Sequence, residues 1–241
     1  MWREIRSGEV TALVALQGRV WMALGLGPRY GDAGDDGPPV ELLGSLPGGA
    51  QAVRWCRQVH GRILASLSRE PGNPLQGAAC VGRCDGLLTD EPGIVVAVRT
   101  ADCVPVLIHG GGVVAAVHAG WRGAAAGIVP RAVRRFEVEY GVPAGELTAV
   151  LGPHVGSCHY EVGSEVVEAL GRVAGDPGEW LHEGRVDLGA IIVHQLVMAG
   201  VGPFGAERVG GCTACDPRLA SYRRDGDAAG RQWSAVALLD A

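Results

Sequence analysis

Cys103 and His118 flank a Val-rich hairpin in the stretch RTADCVPVLIHGGGVVAAVHAGWRG, residues 99–123. A thiolate and an imidazole held together are borderline-soft ligands suited to zinc, whose catalytic sites use three protein ligands and keep a fourth position open. Strands over 104–108 and 113–117, turning through His109 and residues 110–112, would pair residues whose numbers sum to about 221. That register sets Cys103 opposite His118, with β-carbons roughly 4.5–5.5 Å apart, a spacing that two ligands of one ion need. A buried free thiol beside a hydrogen-bonded core imidazole would use the same two residues, and the hairpin alone does not choose.

Four further polar clusters surround this stretch in the sequence. QVHG (58–61) presents His60 at a strand end, a position that is structural more often than functional. RCDGLLTD (83–90) contains Asp85 in an Asp-Gly pair, ordinary turn chemistry when read alone. LGPHVGSCHYEVG (151–163) crowds His154, Cys158, His159 and Tyr160 into one Gly/Pro-rich loop, more titratable groups than packing requires. CTACDPRLASYRRDGDAAGR (212–231) holds a CxxC pair with redox or zinc spacing, then Arg223 and Arg224 before Asp225-Gly226. Those two arginines read either as a solvated turn or as an anion clamp. Cys80 and Cys84 are spaced one residue too widely to serve as a second CxxC.

The elements that must position these groups alternate between strand and helix patterns. Apolar runs predict strands over 9–16, 19–26, 52–59, 93–98, 147–151 and 234–239, while 27–49 and 71–79 are Gly/Pro-rich loop, with a short helix near 40–46. Val129, Val133, Phe136 and Tyr140 fall on one helical face that ends at Gly141, with Pro130 at a kink or in the first turn. Ser164 is placed to cap a helix running to Val173, and Asp187 to cap one that sets Leu188, Ile191, Ile192, Gln195, Leu196 and Ala199 on one side. The expected fold is α/β: a single compact domain over residues 1–241, with mixed β-sheets and flanking helices in a layered sandwich.

Bulk composition narrows the chemistry. At 47% hydrophobic and 20% charged the chain is globular rather than disordered. A net charge of −5 argues against a nucleic-acid partner, and no apolar run is long enough to span a membrane. All 21 basic residues are Arg, so lysine Schiff-base chemistry and the lysine-bearing phosphate loop are excluded; anions must be held by Arg or backbone N–H groups. Seven Cys without a secretory leader predict free thiols or metal ligands in a cytoplasmic protein.

QVHG, CDGLLTD, TADCVPVLI, AAVHAGWRGAAAGI, GPHVGSCHYEVG and CT…SYRRDG…GR occur in one order from about Ala23 to the C-terminus. In that order they closely resemble the bacterial purine nucleoside phosphorylase family long labelled laccase-domain or polyphenol-oxidase proteins. The resemblance implies one zinc held by His60, Cys103 and His118, with copper as an adventitious substitute. It also implies phosphorolysis of adenosine, inosine, guanosine and methylthioadenosine, together with adenosine deamination. Some family members are instead connected with editing of peptidoglycan precursors, removing a wrongly incorporated serine. Purine nucleosides and phosphate are the expected small-molecule partners; the sequence leaves the oligomeric state open. Arg122, Tyr160 and Arg223 are the candidate substrate and phosphate contacts, and Asp85, Asp102 or His154 the proton-transfer group.

Four departures stand out. No Thr-x-Arg-x-Gly-Gly signature precedes Ala23, the family's Ser-Leu-Asn-Leu-Gly is Ala23-Leu24-Gly25-Leu26-Gly27, Leu219-Ala220 replaces Phe-Phe, and His154 and His159 stand where small residues or Cys are common. The seven His include no His-x-His pair, which argues against a true multicopper oxidase, and the cytidine-deaminase zinc signature is absent. Two rival readings share the residues: a cysteine hydrolase with Cys103 as nucleophile, and a non-catalytic metal or redox module built on Cys212 and Cys215.

Overall fold

Val-rich runs become two sheets stacked face to face, because apolar side chains alternate onto both surfaces of each strand and each surface needs cover. The computed structural model describes residues 1–7, 10–27, 38, 40–68 and 76–240. Strands β1 (Arg3–Ser7), β2 (Val10–Gln17) and β3 (Val20–Gly27) form an antiparallel meander. Helix α1 (Val40–Leu43) follows, then β4 (Ala52–Arg57), β5 (Leu64–Leu67), β6 (Gly77–Arg83), β7 (Gly86–Thr89) and β8 (Ile94–Thr100). The central hairpin is β9 (Val104–Gly110) and β10 (Val113–Ala119). Beyond it come α2 (Trp121–Ala125), α3 (Ile128–Tyr140), β11 (Thr148–Leu151), α4 (Ser164–Gly171) and α5 (Pro177–Trp180). The chain ends with β12 (Leu181–His182), β13 (Arg185–Val186), α6 (Leu188–Met198), β14 (Ala206–Arg208), α7 (Tyr222–Asp225) and β15 (Gln232–Leu238).

One sheet has seven strands in the order β1-β2-β3-β15-β8-β4-β6, the other six in the order β14-β11-β9-β10-β7-β5. Met22, Val96 and Val236 from the first meet Leu107, Val114 and Val150 from the second in the inter-sheet core. The outer face of the six-stranded sheet packs on α3 and α6 through Ile128, Val133, Phe136, Ile191 and Leu196. Trp21, Trp55 and Trp233 cover the outer face of the seven-stranded sheet. The result is the layered α/β sandwich the patterning predicts. Among the described residues no helix is long and apolar enough to cross a membrane.

Local differences have local causes. The hairpin turn centres on Gly111 and Gly112, whose φ of +56° and +79° suit a two-residue turn with the twist of the flanking strands. His118 therefore pairs with Pro105 rather than Cys103, and Cys103 lies just past the last pair, Ala119 with Val104. A shift of two residues keeps every side chain on its expected face, because the pleat repeats every two. Residues 77–79 belong to β6, where parallel pairing with β4 overrides their small, turn-like composition. Residues 71–75 of that expected loop lie outside the described residues, as do 28–37 and 39 of the earlier one and Glu9 of the first strand.

Ser164 is the first helical residue of α4 and not its cap; Gly163 takes the cap position without a side-chain bond, and the helix stops at Gly171. Asp187 does cap α6, its Oδ1 accepting from Ala190 N at 2.8 Å. Pro130 sits in the first turn of α3, where its missing N–H costs nothing. The expected strand 93–98 forms as β8, in the other sheet from the hairpin it leads into. Residues 101–103 carry the chain across from one sheet to the other.

Candidate metal centre and its cavity

Four segments deliver the site. His118 comes from the end of β10, His60 from the loop after β4, Cys103 from the crossing before β9, and Asp85 from the residue before β7. Asp85 is wholly buried and organises the others. Its Oδ1 accepts from Val59 N at 3.1 Å and His60 N at 2.8 Å, and its Oδ2 from Gly61 N at 2.8 Å. The same Oδ1 lies 3.0 Å from His118 Nδ1, which leaves Nε2 of that ring for a ligand. The Asp85 carbonyl also accepts from His118 N at 2.7 Å. Burial works against the charge of this carboxylate, but His118 and the N–H groups of Gly61 and His60 outweigh it and hold Asp85 below the usual range.

Two site residues have left-handed backbone, His60 at φ +57° and Asp102 at +82°. His and Asp tolerate this region better than most residues, yet such strain still costs of order 1–3 kcal/mol and persists only where the surroundings impose it. The ligand atoms of His60, Cys103 and His118 lie within 4.8 Å of one another. The two imidazole rings are 4.8 Å apart and nearly perpendicular, at 83°. Gly120 permits the approach: a β-carbon there would stand 3.0 Å from Cys103 Sγ and 3.2 Å from His60 Cδ2. One thiolate and two imidazoles from the protein fit a three-ligand zinc-type site with a position to spare.

Without a metal the group is an ion pair. Burial opposes ionisation of the Cys103 thiol, but His118 and then His60 bring it down to about 6. Burial likewise opposes the imidazolium of His118, while Cys103 and Asp85 raise it to about 9.

A cavity of about 850 Å³ is lined by His60, Cys103 and His118. Arg99, Arg122, Arg223 and Arg231 line it as well, against the carboxylates of Asp102, Glu161 and Glu165. Asp102 is tied from both sides: Oδ1 accepts from Thr213 Oγ1 and Oδ2 from Arg223 N, each at 2.6 Å. The Arg223 guanidinium donates to Glu161 O at 2.8 Å and lies over Tyr160, 5.6 Å from the ring centre. Arg122 stacks on Trp121 at 4.3 Å. Burial first, and the nearby Cys103 next, push the Tyr160 phenol up to about 12, so it carries its proton at neutral pH.

The expected site residues thus separate. Asp102, Arg122, Tyr160 and Arg223 line the cavity with His60, Cys103 and His118. Asp85 stands behind them and does not line it. His154 is not brought to the cavity: it is buried, with Nδ1 at 2.7 Å from Gly152 O and Nε2 at 3.3 Å from Arg208. Arg224 turns inward, donating to the carbonyls of Thr213, Asp216 and Leu219 and to Asp225. Sequence reasoning missed Arg99, Thr100 and Arg231 as cavity residues. All three stood in or beside quoted motifs, Thr100 as the first residue of TADC, Arg99 just before it and Arg231 at the end of residues 212–231; the buried Thr100 hydroxyl has no partner among the described residues.

Residues 40–239 match the family model described as multi-copper polyphenol oxidoreductase laccase. The chain belongs to this laccase family. One relative within reach of it, from Clostridium acetobutylicum and named purine nucleoside phosphorylase, is 38% identical over 189 residues, 76% of either chain. A purine nucleoside phosphorylase of Deinococcus radiodurans is 33% identical over 221 residues, covering 88% of this laccase-family chain and 82% of its own. The crystal structure of YlmD from Geobacillus stearothermophilus superposes with a TM-score of 0.78 at 25% identity, over 98% of this chain and 99% of that one. The laccase-family fold expected from the six motifs is therefore the fold observed.

Proposed function

We propose that this chain is a zinc-dependent purine nucleoside phosphorylase acting on adenosine, inosine, guanosine and methylthioadenosine, with adenosine deamination as a second reaction of the same cavity. The observation that carries the reading is the meeting of His60, Cys103 and His118 in a cavity bordered by four arginines. The phosphorylase names of its relatives support it.

In phosphorolysis a phosphate oxygen attacks the ribose C1′, the C1′–N bond breaks, and the purine leaves with the electron pair and takes up a proton. Zinc held by His60, Cys103 and His118 would supply Lewis acidity. Arg122 and Arg223 hold the phosphate, since the chain has no Lys to do so. Trp121 and Tyr160 keep those two guanidiniums in place by stacking. Asp102 fixes the backbone of Arg223 and is the carboxylate beside the reacting groups that exchanges a proton with them. Tyr160 donates a hydrogen bond from its protonated phenol. Asp85 holds His60 and His118 in position and touches no substrate, and His154 has no part in the reaction.

A cysteine hydrolase acting on peptidoglycan precursors has one observation of its own, the lowered Cys103 thiol beside His118. One experiment separates the two. Zinc-loaded protein is given adenosine and inosine with and without phosphate, and free base, ribose 1-phosphate and ammonia are followed. Phosphate-dependent base release that vanishes in Cys103→Ala is expected, with an Arg223→Ala variant showing a raised KM for phosphate. No base release, together with serine release from a precursor by metal-free protein, would overturn the proposal.

A further inference from the structure

A second group of metal-type ligands stands apart from the cavity. Cys158 and His159 come from the loop after β11, Cys212 and Cys215 from the turn before α7, and all four donor atoms lie within 4.8 Å of one another. None of the four lines the cavity. Cys158 Sγ and Cys215 Sγ are 3.6 Å apart. His159 Nδ1 lies 3.3 Å from Cys158 Sγ, 3.4 Å from Cys215 Sγ and 3.8 Å from Cys212 Sγ.

These four separations, 3.3–3.8 Å, lie near the edge lengths of a coordination tetrahedron. With Zn–S of about 2.3 Å and Zn–N of about 2.0–2.1 Å, donors around one zinc ion stand roughly 3.5–3.8 Å apart. A disulfide would need two sulfurs at about 2.05 Å, and three thiols cannot all pair with one another. We propose that Cys158, His159, Cys212 and Cys215 form a second, structural metal site, a tetrahedral Cys₃His centre that takes zinc.

The surrounding backbone fits that role. Gly156 N donates to Cys212 Sγ at 3.2 Å, the kind of N–H contact that stabilises a thiolate. A β-carbon on Gly156 would stand 3.3 Å from Cys212 Cβ and 3.4 Å from Cys158 Sγ, so this position keeps the ligands free to close. Cys215 N and Asp216 N both donate to Cys212 O at 3.1 Å, which folds the CxxC into one turn. The two loops already touch through a bridge between His154 and Cys212 and through Thr213 N donating to His154 O at 3.0 Å. Four protein ligands leave no open position, so the centre is structural and not catalytic. It joins the loop that carries Tyr160 to the turn that carries Thr213, the residue whose hydroxyl holds Asp102.

The test is metal content measured by mass spectrometry on protein purified from zinc-supplemented cells without chelator. Wild type should carry two zinc ions per chain, and Cys103→Ala/His118→Ala and Cys212→Ser/Cys215→Ser should each carry one. Undiminished zinc in the Cys212/Cys215 variant would overturn the proposal, as would none in the Cys103/His118 variant. If the serine variant does not fold, cobalt(II) is titrated into chelator-treated Cys103→Ala/His118→Ala protein. Thiolate-to-cobalt charge-transfer absorption saturating at one equivalent is expected, and its absence counts against the site. Thiol titration and peptide mapping of the unfolded, unreduced chain should find Cys158, Cys212 and Cys215 free; a disulfide mapped to any of the three would also sink the proposal.

Discussion

At the scale of single residues, Asp85 and Cys103 are defined by what surrounds them more than by what they are. An Asp before Gly reads as a turn, yet Asp85 is buried and gathers three N–H groups and an imidazole, so one carboxylate aims two ligands. Partners of this kind typically carry 10–100-fold of metal affinity. Asp85→Asn should weaken zinc binding at His60, Cys103 and His118 by about that factor, read by chelator competition in a background lacking Cys212 and Cys215; unchanged affinity would reduce Asp85 to packing. Cys103 makes a second prediction. With the thiol lowered to about 6, the reactive thiolate should dominate above that pH and disappear below it, well short of the ~8.5 of a free Cys. Alkylation of Cys103 in chelator-treated protein, followed by peptide mass spectrometry, should climb through pH 6 and level off, and added zinc should suppress it. A rate still climbing at pH 8 to 9 would contradict the ion pair with His118.

At the scale of elements, capping and strand pairing decide where these residues stand. Asp187 begins α6, whose buried face supports both the six-stranded sheet and Ala124 of α2, to which Gln195 donates at 2.9 Å. Asp187→Ala should cost about 1 kcal/mol from the lost cap, measured by urea unfolding, and loss of the two-pronged ion pair with the half-exposed Arg208 adds to it. That cap was legible because Asp before a long apolar face is a local signal. So were the Val-rich hairpin, helix α3 and the meeting of His60, Cys103 and His118, which lie inside short motifs. The hairpin register was not, because a run of glycines leaves the turn centre undefined until the strands twist against their neighbours. The role of Asp85 and the exile of His154 were hidden for a different reason: both depend on partners far away in the chain. The same holds for Cys158 and His159, which look like loop residues until folding sets them against a CxxC more than fifty positions later.

At the scale of the whole molecule, the site belongs to neither sheet alone. His60 and Asp102 hang from the ends of β4 and β8 in one sheet, His118 and Asp85 from the ends of β10 and β7 in the other. Metal bound only by the folded chain therefore stabilises the sandwich as a unit, by about 2.7 kcal/mol when free zinc is a hundred times its dissociation constant. Chelation should lower the Tm in a single cooperative step, and a transition that splits in two on chelation would show the sheets to be independent. The crossing at residues 101–103 has a further consequence. Because β8 and β9 are joined there by only three residues, Cys103 among them, opening at either strand end pulls on the other. Deuterium uptake at the backbone amides flanking the cavity should then be governed by one shared opening event, and occupancy of the centre would set its frequency on both sides of the sandwich at once.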